Sequence, residues 1–213
     1  MEILASLVES LVEGQDEQVA QLTQKGVQEG LPPLEILNKG LIAGMEVVGQ
    51  NFKEGEIYVP DVLIAARAMR AGMDILRPLL AESNVPSTSK VILGTVQGDL
   101  HDIGKNLVGI MMEGAGFEVI DLGADVSADK FVAAVKEHRP KIVGMSALLT
   151  VTMMGMKSVL DSIESQGLRQ DVITMVGGAP VTQKFADEIG ADGYAHDAVS
   201  AVSKVKELLK IER

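Results

Sequence analysis

VILGTVQGDLHDIGKN, residues 91–106, decides the fold. An apolar run, Val91 to Val96, gives way to a turn carrying Gly98 and Asp99 and then to an amphipathic helical pattern from Asp102 to Ala115. A strand that passes through a tight loop into a helix is the opening of a βαβ unit, and the same succession recurs to the end of the chain. Strands are predicted at Val91 to Val96, Glu118 to Leu122, Ile142 to Met145, Val172 to Val176 and Gly193 to Ala195. The later helices are predicted at Ala128 to Glu137, Val151 to Ser165, Thr182 to Ile189 and Ala198 to Leu209. Strand and helix in alternation imply a five-stranded parallel sheet with helices on both faces. Ligands are then expected beyond the carboxyl ends of the strands, at a topological switch point.

Upstream, residues 1–82 carry only helical periodicity. Ile3, Leu4, Leu7, Val8, Leu11 and Val12 make one stripe that stops at Gly14, and Val19, Leu22 and Val27 make a second that ends near Gly30. Pro32 and Pro33 open a third helix. Its apolar residues, from Leu34 to Val48, are too many for a single face, so it is expected deep in a bundle. Lys53 to Tyr58 reads as a turn, and Pro60 starts a fourth helix to Leu80, where Ala65, Ala66, Ala68, Ala71 and Gly72 permit close helix approach. AESNVPSTS, residues 81–89, is polar and aperiodic. The expected organisation is a four-helix unit over 1–82, a linker over 83–89 and an α/β domain over 90–213.

Composition removes several classes of function. A net charge of −11 leaves no basic stripe for nucleic acid. With no Cys there are no disulfides, thiolate metal sites or thiol nucleophiles, which is compatible with a reducing cytoplasm. No apolar run reaches membrane-spanning length, and the acidic start, MEILASLVESLVEGQ, lacks the basic region of a signal peptide. A cytoplasmic protein is expected. Its apolar first helix can pack within its own bundle or against a second copy.

The loops after the strands hold the candidate chemistry. In GDLHDIGKN, residues 98–106, Gly98 permits a tight exit from the strand, and His101 stands where a helix begins, with Asp102 able to cap it. His101 can present one ring nitrogen to a metal while the other donates to Asp99, a pairing that fixes the tautomer and raises ligand basicity. Gly104, one turn on, lets a bulky group press against the backbone. Sites built from amino acids alone need three or four protein ligands, and the chain has three His and no Cys, so a metal here must bring its own equatorial ligands. That points to a macrocycle.

GMSALLTVT, residues 144–152, offers hydroxyls from Ser146, Thr150 and Thr152 in an apolar setting, suited to orienting one buried polar atom of a ligand or to capping a helix. VGGAPVT, residues 176–182, leaves bare backbone at Gly177 and Gly178. Neither a GxGxxG fingerprint nor a GxxxxGK[ST] loop is present, which removes support for dinucleotide or nucleoside triphosphate binding.

Taken together, these loops resemble those of the cobalamin-binding region of methionine synthase and of the small corrinoid proteins of methanol- and methylamine-type methyltransferase systems. Asp99, His101 and Gly104 stand as the family's DxHxxG, Ser146 and Leu148 as its SxL, and Gly177 with Gly178 as its GG. The resemblance spans essentially the whole chain. It implies a helical cap followed by a flavodoxin-like, Rossmann-like α/β domain, with the corrin ring of cobalamin between them and the cofactor's dimethylbenzimidazole tail buried in the second domain. His101 would be the lower axial ligand to cobalt, with Asp102 and Ile103 beside it, Asp99 accepting from it and Thr152 extending the relay. Ser146 would bond the tail base, Leu148 would line its channel, and Thr150, Gly177 and Gly178 would complete the pocket.

In NFKEGEIYVPDVLIAARAM, residues 51–69, Phe52 and Val59 match cap positions over the cobalt's upper face, although Val59 is smaller than the Leu common there. The implied function is a methyl carrier whose cobalt is methylated in the working cycle. It would meet a substrate-specific methyltransferase and a second, methyl-accepting one, with the catalytic residues on those partners and the linker as a hinge. The competing class is a sensory module that binds adenosylcobalamin. Such proteins usually append a DNA-binding domain, for which this chain has neither spare length nor basic charge.

Overall fold

The computed structural model describes residues 2–82 and 89–211, which fall into two compact units: residues 2–82 with 113–116, and residues 89–112 with 117–211. Residues 83–88, most of the expected linker, lie outside the described residues.

The first unit is helical. α1 (Glu2–Val12) and α2 (Asp16–Gln28) are followed by α3 (Pro33–Ile36), which runs through a π-helical segment (Leu37–Ile42) into α4 (Ala43–Glu54), and α5 (Val59–Glu82) completes four helical rods. The apolar stripe of α1 buries Leu4, Leu7 and Leu11. The third rod departs from expectation in an instructive way. Ile36, Leu37, Leu41, Met45 and Val48 are buried, yet Leu34 and Val47 remain 41% and 40% exposed. The π-helical segment widens one turn and rotates the apolar stripe, so residues that overfill one regular face divide between two phases.

Small residues set the spacing of these rods. A Cβ at Gly40 would come within 2.4 Å of Leu7, and one at Gly72 within 2.8 Å of Leu41. The turn after α4 begins at Gly55, two residues later than Lys53, and Asp61 accepts from the Tyr58 amide at 2.8 Å to organise the start of α5.

The second unit holds β1 (Lys90–Thr95), α6 (Ile103–Gly114), β2 (Glu118–Asp121), α7 (Ala128–His138), β3 (Ile142–Ser146), α8 (Met154–Ser165), β4 (Ile173–Gly177), α9 (Gln183–Ile189), β5 (Gly193–Ala195) and α10 (Ala198–Leu208). All strand pairs are parallel, in the order β2-β1-β3-β4-β5, the flavodoxin-like arrangement. β1, β3 and β4 are nearly continuous buried runs, as strands covered on both faces must be. Phe131, Met156, Ile163 and Ile92 anchor the core between sheet and helices.

One boundary differs usefully. The helix expected from Val151 starts at Met154; the residues before it close tight turns, with the Thr152 and Met153 amides both donating to the Leu149 carbonyl.

Candidate functional site

Strand order reverses between β1 and β3, whose last residues, Thr95 and Ser146, are register partners. The loops leaving these two strands therefore emerge side by side at the carboxyl edge of the sheet, and they carry the chemistry. Gly98 adopts the left-handed backbone (φ 83°) that turns the first loop away from β1.

Asp99 organises both loops. Its carboxylate is fully buried and accepts five hydrogen bonds. Oδ1 takes the His101 amide at 3.1 Å and His101 Nδ1 at 2.8 Å, and Oδ2 takes the Leu148 amide at 2.7 Å, the Leu149 amide at 3.2 Å and the Thr152 hydroxyl at 2.6 Å. Burial pushes this carboxyl up. The bonds from Thr152, Leu148 and His101 outweigh burial and hold it well below the usual carboxylate range. An ionised carboxylate has no proton to give, so Nδ1 of His101 is the donor in their bond and a neutral imidazole keeps its lone pair on Nε2. The ring is about half exposed, with 52% of its side-chain surface open. Local sequence thus produces a histidine fixed at one nitrogen and open at the other.

Around it lies a rim of exposed apolar side chains on the same two loops and the adjoining helix starts. Leu100 is 75% exposed, Ile103 80% and Val151 81%, with Met154, Leu148 and Leu149 also uncovered. A Cβ at Gly104 would meet nothing within 4 Å, so the first turn of α6 presents open backbone. Asp102 precedes that helix, and its carbonyl accepts from the Asn106 amide at 2.8 Å.

A second cluster lies one strand over. Ser146 is the register partner of Gly177, and the Ala147 amide donates to the Gly177 carbonyl at 3.3 Å. Gly178 has φ 127°, and a Cβ there would fall 1.9 Å from the Ala147 carbonyl oxygen, so only glycine fits.

The structure thus brings Asp99, His101, Leu148 and Thr152 into one network and sets Ser146, Gly177 and Gly178 beside it. Thr150 is exposed, and neither Thr150 nor Thr152 caps α8, whose N-cap is Met153 without a side-chain bond. Phe52 and Val59 belong to the helical unit, near the end of α4 and at the start of α5. Among the described residues no group of three or more His, Asp or Glu could hold a metal ion, so a metal at His101 must arrive with other ligands of its own.

Comparison with known proteins decides the family. The B12 binding domain family matches residues 89–203, and a second B12 binding domain family matches residues 3–77. The chain belongs to the B12-binding corrinoid proteins.

This corrinoid protein is 46% identical over 209 residues to the dimethylamine corrinoid protein of Methanosarcina barkeri, covering 98% of each chain. It is 44% identical over 212 residues to trimethylamine corrinoid protein 2 of Methanosarcina mazei, covering 99% of this chain and 97% of that relative. Among solved structures, the methanol:cobalamin methyltransferase complex of Methanosarcina barkeri matches with a TM-score of 0.87 at 30% identity, over 99% of this chain and 81% of that one. A cobalamin-binding protein from Desulfitobacterium hafniense matches with a TM-score of 0.78 at 32% identity, over 96% and 97%.

The residues present fit cobalamin, the cofactor of the family. A flat macrocycle with its own equatorial nitrogens needs one axial donor, an apolar seat and backbone without side chains in its way. His101 Nε2, the Leu100 to Ile103 rim and the open face at Gly104 provide these.

Sequence reasoning missed four contributors to the site. The Leu148 and Leu149 amides carry no residue-type signal. Thr95, fully buried, donates its hydroxyl to the His101 carbonyl at 3.1 Å but reads in sequence as one more β-branched strand residue. Asp125 reaches the first loop from 27 residues away.

Proposed function

We propose that this protein is a methyl carrier that receives a methyl group from a substrate-specific methyltransferase and delivers it to a second one, with His101 Nε2 as the lower axial ligand of its corrinoid. When bound, the corrinoid supplies a cobalt centre that accepts and releases the methyl group. The protein's own residues bind, orient and tune. Asp99 holds the His101 ring at Nδ1, fixing the tautomer and leaving Nε2 as the donor atom for a metal. When a proton reaches Nε2 instead, the same carboxylate neutralises the imidazolium, so the ligated and released forms of the ring are both held in place. Thr152 and the Leu148 and Leu149 amides keep that carboxylate ionised.

Asp102, Ile103 and Gly104 would form the seat beside the ligand. Ser146, Leu148, Thr150, Gly177 and Gly178 would hold the displaced nucleotide tail. The assignment of Phe52 and Val59 to the cobalt's upper face belongs to the same proposal, as does a cytoplasmic place of action. Among the described residues no helix is long and apolar enough to cross a membrane. Relatives named for trimethylamine and dimethylamine, and a structural match in a methanol system, support a small methylated amine or alcohol as the ultimate methyl source.

The observation that carries this reading is a half-exposed imidazole tied at Nδ1 to a buried carboxylate at 2.8 Å. The experiment is reconstitution of the full chain and of His101→Ala with hydroxocobalamin. The parent is expected to show a histidine-ligated visible spectrum. The variant is expected to retain the corrinoid more weakly, with that spectrum gone, and an unchanged spectrum would remove the axial assignment. Methyl transfer assayed with partner enzymes for methanol and for mono-, di- and trimethylamine then identifies the donor. Failure with every partner would remove carriage.

A further inference from the structure

We infer that the segment following β2, residues 121–126, is the positioning element for the His101 loop, and that Asp125 is the residue through which it acts. The inference rests on the reading of His101 as the cobalt ligand. No side chain of this segment belongs to the sequence motifs of the site. Three features single it out.

First, Asp125 grips the loop at two points. Its Oδ1 accepts the Gly98 amide at 2.7 Å, and its own amide donates to the Asp99 carbonyl at 3.0 Å. These bonds bracket the Gly98–Asp99 pair, so the segment bearing the carboxylate that orients His101 is held from both ends. Second, Asp125 has left-handed backbone, φ 53°, a conformation that L side chains rarely adopt. Glycine would adopt it freely but has no carboxylate to offer Gly98.

Third, the same segment is fastened on either side of Asp125. The Thr95 amide donates to the Gly123 carbonyl at 3.0 Å and the Val126 amide to the Thr95 carbonyl at 2.9 Å, while the buried Thr95 hydroxyl holds the His101 carbonyl. On the other side, Lys105 of α6, only 2% exposed along its side chain, donates to both oxygens of Asp121 at 2.6 and 2.7 Å. Asp121 in turn accepts the Gly123 amide at 2.9 Å. The strand before His101, the loop carrying it and the helix after it are therefore all referenced to residues 121–126. Because a metal ligand must be held within small errors of distance, a loop fixed this way would present His101 to the cofactor in one position.

The test exploits the backbone of Asp125. Asp125→Gly keeps the left-handed conformation and removes only the side-chain acceptor, whereas Asp125→Asn keeps both, since Asn tolerates positive φ and its amide oxygen accepts from Gly98. Each variant, with the parent and His101→Ala, is loaded with hydroxocobalamin and its visible spectrum followed during acid titration. In Asp125→Gly the ratio of histidine-ligated to released forms is expected to fall about fivefold, read as a rise of about 0.7 unit in the release midpoint. Asp125→Asn is expected to keep the parent's midpoint.

An Asp125→Gly midpoint equal to the parent's, with the His101→Ala spectrum lost, overturns this inference and leaves the ligand reading standing. A His101→Ala spectrum like the parent's overturns both. Hydrogen exchange of the Gly98 amide in the unloaded proteins gives a second readout. It is expected to accelerate in Asp125→Gly and not in Asp125→Asn, and equal exchange in all three overturns the clamp whatever the loading.

Discussion

The hydroxyl of Thr152 donates to Oδ2 of Asp99 over 2.6 Å although 53 residues separate them. This bond joins the loop after β3 to the loop after β1 and feeds directly into the carboxylate that orients His101. Replacing Thr152 by Val keeps the shape and removes the donor. The Asp99 carboxyl is then expected to move up toward the ordinary range, measured by carbon NMR of the carboxyl, and the unloaded protein to lose about 1 kcal/mol in chemical denaturation. Thr152→Ser is expected to restore both. An Asp99 carboxyl unmoved in Thr152→Val would show that the remaining donors, the Leu148, Leu149 and His101 amides and the His101 ring, suffice to set its charge.

Gly104 separates folding from cofactor binding. A Cβ there meets nothing within 4 Å, and the site lies in the first turn of α6, where glycine is an inferior helix former by roughly 0.5–1 kcal/mol relative to alanine. Gly104→Phe is expected to leave the unloaded protein as stable as the parent while weakening hydroxocobalamin binding by about tenfold or more, the cost of roughly 1.4 kcal/mol or more in lost seating. Equilibrium dialysis beside a thermal melt checks both halves. Undiminished binding would mean that the cofactor does not lie against this turn.

At the opposite edge of the sheet, Asp192 accepts the Thr174 amide at 2.7 Å, the Thr174 hydroxyl at 2.8 Å and Arg169 at 2.8 Å. Burial raises its carboxyl, but Arg169 and Thr174 bring it below the ordinary value of 3.8. A carboxyl lower in the folded than in the unfolded chain contributes stability that is fully present above the unfolded value. That stability is lost as pH falls through 3.8 toward the folded value. Asp192→Asn is expected to cost about 2 kcal/mol at neutral pH and to flatten this part of the acid limb in urea denaturation, with hydroxocobalamin binding unchanged. An acid limb as steep as the parent's would assign the loss to other carboxylates.

Much of the α/β unit was legible because its strands are short apolar runs between turn residues, so β5 was found at its own limits and the other strands within a residue or so at either end. The helical unit was legible in its rods but not in the third one's interior. A π-helical turn has no residue signature, and it shifts the phase of the rod so that Leu34 is exposed while Leu41, seven residues on, is buried. The start of α8 was placed three residues early because periodicity does not distinguish the turns at 149–153, where the Thr152 and Met153 amides share the Leu149 carbonyl, from a first helical turn.

From the sequence alone came the alternation of strand and helix, the site at the carboxyl edge of the sheet, and a histidine spaced from an aspartate and a glycine in the first loop. Those are local properties, set by residue type and by periods of two and 3.6 residues. Only the tertiary structure decided that Asp99 is buried under five donors, that Leu148 and Thr152 supply some of them from 49 and 53 residues away, and that Asp125 holds the loop from outside every motif. Hydrogen bonds between distant loops leave no period in the chain. They exist because a parallel sheet brings the carboxyl ends of β1, β2 and β3 together.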